Sequence, residues 1–214
     1  YRLLSSRNVK LYEGEYQNGF QHGEGTSYYG RRGPFPSDTP FVTPYPEISD
    51  RLRDRNRDLA NMNNAFELGV DVKALEGTFV DMHMVSGKQY GTDGTLMYEG
   101  AFQNSKFHGF GTLYHAVPNH KVKQFVGNWE NGLPRGTGGS LYDTSGKLQI
   151  SGGIWQPAGL EGVATEYYAN GKTKYVGSWL VSQKSGVGRL YRDDETNSLQ
   201  YDGQFVANRR FGQG

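Results

Sequence analysis

The sequence predicts an all-β protein: an elongated single-sheet array of about seven β-hairpins, with one inserted loop and α-helix. Glycine is about twice as frequent as usual, with 31 in 214 residues. Aromatic residues make up 14% of the chain, and glycines and aromatics recur together at a fixed spacing. Since only 35% of the residues are hydrophobic, aromatic rings have to supply much of the buried area.

The composition excludes several functional classes. A net charge of +1 does not provide the excess of positive charge that binding to nucleic-acid phosphates requires. The absence of cysteine excludes a disulfide scaffold, a thiol nucleophile and a Cys-ligated zinc site. No apolar run reaches the roughly 18 residues of a transmembrane helix. The chain begins at Tyr1 rather than at methionine, which is typical of a fragment or a processed protein.

The repeated pattern is aromatic, glycine, aromatic at alternate positions, followed by glycines seven and nine residues after the second aromatic. Its first copy is YEGEYQNGFQHGEG, and six copies match well. A seventh, degenerate copy is Leu75-Gly77-Phe79, in which Ser86 and Lys88 stand at the later glycine positions. The repeat glycines are Gly14, Gly23, Gly25, Gly100, Gly109, Gly111, Gly127, Gly136, Gly138, Gly153, Gly162, Gly177, Gly186, Gly188, Gly203, Gly212 and Gly214.

Strand geometry explains this alternation. Residues at i, i+2 and i+4 of a strand share one face, so both aromatics and the intervening glycine point the same way. The residues before the later glycines are rich in turn formers and predict a hairpin connection. Glycines opposite aromatics leave room for rings to lie flat over the partner strand. Because one hairpin alone is marginal in water, each is expected to stack on its neighbours.

Four copies carry a resemblance to a known family. YEGEYQNGFQHGEG, YEGAFQNSKFHGFG, FVGNWENGLPRGTG and YVGSWLVSQKSGVG resemble the MORN (membrane occupation and recognition nexus) repeat, whose pattern is approximately YxGxWxxGxxxGxG. The resemblance covers residues 12–29 and about 75–214. It implies a curved row of β-hairpins and a non-catalytic scaffold that binds partner proteins, as a subunit of a large assembly of the cytoskeletal or ciliary type. We therefore expect no cofactor, metal, nucleic acid or small-molecule substrate.

Two alternatives stay open at this point. A peripheral module for acidic phospholipids fits the family name, although the chain has neither a strong positive charge nor a Lys/Arg cluster. An accessory region of a larger enzyme fits those family members that carry a catalytic domain. The resemblance implies a cytoplasmic, cytoskeletal or ciliary location, with an organellar complex such as a mitochondrial one as the alternative.

Residues 30–74 interrupt the array and divide the chain into a first hairpin with its lead-in (1–29), an insertion (30–74) and six further hairpins (75–214). Five prolines predict an extended loop in the first part of the insertion. The second part is predicted to be an amphipathic helix, either packed on the sheet or docking a partner. Its apolar face is formed by Ile48, Leu52, Leu59, Met62 and Phe66.

The residues that could carry chemistry do not form a catalytic set. His22 and His108 share one repeat position, which favours a role in the hairpin over metal binding. The string NGKT at 170–173 lacks the earlier glycine of a phosphate loop, where the chain has Glu166. The second aromatics are instead the candidates for partner binding, with the three tryptophans in a line, unless they only pack between hairpins. These candidates are Tyr16, Phe102, Trp129, Trp155, Trp179 and Phe205.

Overall fold

The computed structural model describes residues 2–4, 10–29, 72–117, 121–212 and 214, with side chains from residue 10 onward. Regular structure in these residues is strand throughout, which confirms the predicted all-β class. The loop and helix predicted within residues 30–74 lie outside the described residues, and the domain boundaries drawn around them stay a prediction. Within the described residues, no helix is long and apolar enough to cross a bilayer.

The sheet contains strands that follow one another along the chain. The strands are β1 (Arg2–Leu4), β2 (Lys10–Gln17), β3 (Phe20–Tyr28), β4 (Lys73–Val80), β5 (His83–Tyr90), β6 (Leu96–Gln103), β7 (Lys106–Tyr114), β8 (Lys123–Glu130), β9 (Leu133–Pro134), β10 (Gly136–Thr137), β11 (Ser140–Tyr142), β12 (Leu148–Gln156), β13 (Gly159–Tyr167), β14 (Thr173–Leu180), β15 (Gln183–Tyr191), β16 (Leu199–Val206) and β17 (Arg209–Phe211).

All pairings are antiparallel, and nearly every strand pairs with its neighbours in the chain. Hairpins 1 to 3 are β2–β3, β4–β5 and β6–β7, and hairpins 5 to 7 are β12–β13, β14–β15 and β16–β17. Hairpin 4 departs from this rule, because its return strand is divided into β9, β10 and β11. In this hairpin β9 pairs with β8, β10 pairs with β12, and β11 pairs with both β8 and β12.

Two-residue turns with positive φ close most hairpins along one edge of the sheet, hereafter the tip edge. In hairpin 4, Asn131 and Gly132 have φ of 53° and 84°, as a type I′ turn requires. The N–H of Gly132 donates to the carbonyl of Phe107 in the preceding hairpin at 2.9 Å. Ser182 makes the same contact with Leu160 at 3.0 Å, so consecutive hairpins are joined at their tips.

The loops between hairpins lie at the opposite edge and close in a common way. The N–H of Tyr168 donates to the carbonyl of Lys172 at 2.8 Å, and Gly171 between them has φ of 85°. The phosphate-loop-like string is therefore a tight turn. The same closure joins Tyr29 to Val72 at 3.0 Å, at the base of the insertion.

The core is a layer of rings lying on glycine backbone, which confirms the predicted arrangement. A Cβ added to Gly111 would lie 2.1 Å from the hydroxyl oxygen of Tyr98, and one added to Gly100 would lie 2.6 Å from it. The ring that covers the glycines is therefore the first aromatic of the hairpin. Its hydroxyl donates to the carbonyl of Ala101 at 3.2 Å. Tyr12 and Tyr175 are placed equivalently and are fully buried.

Three assignments of the repeat frame are corrected by the strand register, and each error is a shift of one residue. In hairpin 2, Gly77 pairs with Gly87, so the return strand keeps a glycine between Ser86 and Lys88. In hairpin 4 the glycine under the rings is Gly139, where a Cβ would lie 2.5 Å from the indole nitrogen of Trp155. Gly138 has φ of 80° and open space around it, so it is an inserted residue.

Hairpin 5 carries the third shift. Gly152 pairs with Ala164, and Gly153, which the frame selected, is an extra residue with φ of 67° at an irregularity of the ladder. Ile150 then stands where hairpins 1, 3, 4, 6 and 7 have the covering aromatic. Because this side chain is smaller than tyrosine, the opposite position accommodates the methyl group of Ala164.

Candidate interaction surfaces

The second aromatics, predicted to contact partners, belong to the interior. Trp129, Trp155 and Trp179 are 3%, 1% and 7% exposed, and Phe102 and Phe205 are equally buried. Tyr16 is partly buried and packs against the core. For the three tryptophans, Phe102 and Phe205 the expected role is therefore corrected, since neighbouring side chains already cover the ring atoms, whereas for Tyr16 it stays a prediction.

Indole contacts show what the tryptophans do instead. The Trp129 indole N–H donates to the carbonyl of Gly111 at 3.2 Å, and its ring meets that of Tyr98 edge-on at 5.6 Å. Trp179 likewise donates to Ala164 of the preceding hairpin at 3.3 Å. Both tryptophans therefore join neighbouring hairpins, which was the alternative prediction for them.

The accessible surface lies on the opposite side of the sheet, hereafter the outer face. Strand alternation directs to it the residue that precedes the covered glycine of each return strand. At this position Phe110, Val163 and Val187 are 65%, 66% and 63% exposed. Hairpins 1 and 2 have Glu24 and Ser86 there instead. At this position the outer face is therefore polar in hairpins 1 and 2 and exposes large apolar side chains in hairpins 3, 5 and 6.

The acidic residues that precede the first glycine of hairpins 1 to 3 form a second row on this face. Each accepts a hydrogen bond from a tyrosine hydroxyl of the same hairpin, so these carboxylates help to hold the two strands together. The Tyr90 hydroxyl, followed by the Lys73 ammonium, lowers the pKa of Glu76. The pairs are Tyr28 with Glu13 at 3.4 Å, Tyr90 with Glu76 at 2.5 Å and Tyr114 with Glu99 at 3.1 Å.

The tips of hairpins 5 to 7 differ in composition from those of hairpins 1, 3 and 4. Hairpins 1, 3 and 4 end in Asn-Gly or Asn-Ser turns. Hairpins 5, 6 and 7 end in apolar residues, hereafter the apolar tips, of which Leu180, Val181 and Val206 are about half exposed. The apolar tips comprise Pro157, Ala158, Leu180, Val181, Val206 and Ala207.

Comparison with known families agrees with this geometry. The MORN repeat model matches residues 12–31, 98–116, 125–144 and 201–214, which fall on hairpins 1, 3, 4 and 7. The chain carries MORN repeats. Such repeats are typically modules for interaction with proteins or membranes, and the family is generally non-catalytic. A search of curated proteins gives no significant match to the chain.

A column of tyrosines in the hairpin array was missed by the sequence reasoning. In each of hairpins 1 to 6, a tyrosine ends the return strand, three residues after the position under the rings. This fixed distance was a usable signal, because it points to Gly139 rather than Gly138 in hairpin 4. The tyrosines are Tyr28, Tyr90, Tyr114, Tyr142, Tyr167 and Tyr191.

A charged cluster replaces apolar residues on the ring side of hairpins 5 and 6. The carboxylate of Glu166 lies 2.7 Å from the ammonium of Lys174 and 2.6 Å from that of Lys184. Lys184 also lies 5.3 Å from the ring centre of Tyr175 and 5.5 Å from that of Trp179. Because both ammonium groups contact the same carboxylate, this cluster is a structural ion-pair network.

Histidines take part in local contacts. His22 lies 3.8 Å from the carboxylate of Asp81, and His115 lies 2.9 Å from the carbonyl oxygen of Tyr142. His120 lies outside the described residues. Among the residues that the structure describes, no three potential ligands from His, Asp and Glu come together in a metal-binding group.

Proposed function

We propose that this MORN array is a non-catalytic structural protein, a scaffold that binds partner proteins through its extended hairpin surface. We place it as a subunit of a large assembly of the cytoskeletal or ciliary type, in the cytoplasm. The observation that carries the proposal is the row of Phe110, Val163 and Val187. These side chains contribute little to the core, and exposed apolar residues at regular positions are typical of a protein-binding surface.

The surroundings of this row favour a protein over an anionic membrane. The outer-face partners across the strands are polar and uncharged: Asn128 faces Phe110, and Ser178 faces Val163. An apolar strip with amide and hydroxyl neighbours offers both contact area and hydrogen bonds. On the same face the Arg189 guanidinium is paired with Asp202 at 2.9 Å. Binding to an anionic membrane would instead require a cluster of unpaired cations on this face.

The non-catalytic assignment is supported by the roles of the carboxylates. Glu76 and Glu99 accept hydrogen bonds from tyrosine hydroxyls, and Glu166 is held between two lysines. A general acid or base needs a proton to exchange with a substrate. These three groups are instead engaged in holding neighbouring strands.

The test compares partner recovery by the native chain and by an outer-face variant. The full chain is tagged in its own cells, cross-linked and purified, and cross-linked peptides are identified by mass spectrometry. The variant carries Phe110→Ser, Val163→Ser and Val187→Ser together. We expect specific protein partners whose recovery falls about tenfold, equivalent to about 1.4 kcal/mol of binding free energy, with little change in the unfolding temperature.

A matched control removes exposed apolar side chains elsewhere. Phe20 and Met82 lie at the tips of hairpins 1 and 2 and are about half exposed. The variant with Phe20→Ser and Met82→Ser should recover partners as the native chain does. Equal recovery by the outer-face variant, or no partner above a tag-only background, would refute the proposal. Sedimentation with anionic vesicles in the absence of protein partners would favour the membrane alternative.

A further inference from the structure

Two turns of the tip edge carry residues that their backbone disfavours. Val181 and Ala207 open the turns of hairpins 6 and 7 with φ of 48° and 47°. Asparagine, which tolerates this conformation well, occupies the same position in hairpins 1, 3 and 4. A β-branched residue at positive φ is a genuine outlier, and such strain persists where something else requires the side chain.

Packing within the chain does not explain these residues. Leu180 and Val181 are 55% and 50% exposed, and Val206 is 53% exposed. Substituting asparagine would relieve the turn and expose less apolar surface. The side chains therefore fit a role in contact with something outside the described residues.

The three apolar tips form one continuous ledge. Ser182 donates its N–H to the carbonyl of Leu160 and accepts the Leu160 N–H on its hydroxyl oxygen, both at 3.0 Å. Asn208 and Lys184 make an equivalent pair between hairpins 6 and 7, at 3.0 and 2.8 Å. A Cβ on Gly159 would come within 2.7 Å of the Ser182 hydroxyl, so hairpins 5 and 6 are in close contact. The apolar side chains are thus held at fixed positions relative to one another.

Positive charge borders this ledge. Arg209 and Arg210 directly follow the hairpin 7 turn and are exposed. Among the described residues, neither guanidinium has a carboxylate partner, and Arg210 lies 5.9 Å from the Tyr201 ring centre. The nearby carboxylate of Glu161 accepts a hydrogen bond from Gln156 at 2.9 Å. The ledge therefore presents apolar side chains beside uncompensated cations.

We propose that the apolar tips of hairpins 5 to 7 are a docking site for an acidic amphipathic segment of a partner protein. The segment places apolar side chains on Leu180, Val181 and Val206 and a carboxylate on Arg209, which pairs with Val206 across the turn. Arginine can bind a carboxylate through two parallel hydrogen bonds, which adds orientation to the apolar contact. This inference rests on the proposed scaffold function and gives it a second binding surface, separate from the outer face.

The test uses the full chain and a displayed library of random peptides of about 16 residues, a length of about four helical turns. Selection should enrich peptides that combine Asp or Glu with Leu, Ile or Phe. In the double variant Val181→Asn with Ala207→Asn, affinity for these peptides should fall about tenfold. Because asparagine suits both turns, the unfolding temperature of this variant should equal or exceed that of the native chain.

Two further variants separate docking from folding. Arg209→Glu with Arg210→Glu should also reduce affinity about tenfold and weaken its dependence on salt. Asn131→Val strains the polar tip of hairpin 4, so it should lower the unfolding temperature and leave peptide affinity unchanged.

Unchanged affinity in the double asparagine variant would overturn the tip site, as would enriched peptides without acidic residues or a selection that enriches nothing. If the enriched peptides lose affinity only with Phe110→Ser, Val163→Ser and Val187→Ser, the scaffold function stands and the tip site falls. If the asparagine variant instead loses binding to phosphatidylserine vesicles, the tips contact membrane and the proposal is refuted.

Discussion

Replacing Gly111 with alanine places one methyl group where the structure has a tyrosine ring. The new Cβ would lie 2.1 Å from the hydroxyl oxygen and 2.4 Å from the ζ carbon of Tyr98, so the ring has to move. Overpacking of this kind costs about 1–3 kcal/mol. Losing the hydrogen bond from Tyr98 to Ala101 adds about 1 kcal/mol. We expect the free energy of unfolding to fall by about 2–4 kcal/mol.

Hairpin 5 shows how the chain itself accommodates this methyl group. Ala164 stands at the position of Gly111, and Ile150 stands at the position of Tyr98. Tyr98→Ile alone removes ring volume and should cost about 2–4 kcal/mol. The double variant Tyr98→Ile with Gly111→Ala should lose about 1–3 kcal/mol less unfolding free energy than the two single variants together, because the new methyl group fills the space that the ring vacated.

Urea unfolding followed by tryptophan fluorescence measures all four members of this cycle. Gly94→Ala is the matched control, since Gly94 has φ of 78° and open space around it. This change should cost about 1–2 kcal/mol through backbone strain and show no coupling to Tyr98→Ile. Strict additivity of Gly111→Ala and Tyr98→Ile would refute the placement of the ring over the glycine.

Three further predictions concern titration, the indole bonds and the insertion. Burial raises the pKa of Tyr175 to about 12, above its ordinary value of 10, so the stabilising contribution of this tyrosine is complete below pH 10 and is lost as pH rises towards 12. Thermal unfolding measured across this pH range should show the loss, and an unfolding temperature that does not change with pH would contradict it. Trp129→Phe removes the bond to Gly111 and should lower the free energy of urea unfolding by about 1–2 kcal/mol, whereas an unchanged value would mean that the bond contributes nothing. Replacing residues 30–71 with a three-residue loop should preserve the cooperative unfolding of the array, because the base of the insertion closes as the short loops do. Circular dichroism measures this unfolding, and loss of the folded signal would contradict the prediction.

The sequence predicted the fold class because its strongest signal is periodic and local. Alternating aromatics and glycines have few structural solutions, and the rings do lie on glycine backbone. Single-residue insertions were harder to place, because a glycine neighbours the correct one in hairpins 4 and 5. Gly138 satisfied the expected spacing, whereas the strand pairing places Gly139 under the rings. The distance to Tyr142 was the one sequence feature that could have decided this.

The interaction surface was less predictable than the fold. Tryptophan and phenylalanine dominate both protein cores and protein interfaces, so residue type alone could not separate these roles for Trp129 and Trp179. Burial settles the matter, since both indoles are enclosed and hydrogen-bonded to the preceding hairpin. The exposed apolar side chains stand at positions that the repeat pattern leaves variable, such as Phe110 and Val163. A search for the residues that recur in every repeat therefore does not select these side chains.

Site-specific photo-crosslinking in cells tests most directly the claim that the side opposite the rings is where partners bind. A photoreactive amino acid is placed at Phe110 or Val163 on the outer face, or at the exposed Asn104 of a polar tip. We expect discrete adducts with the same partner proteins from both outer-face positions and none from Asn104. Adducts from Asn104 alone, or no discrete adduct from the outer face, would contradict the claim.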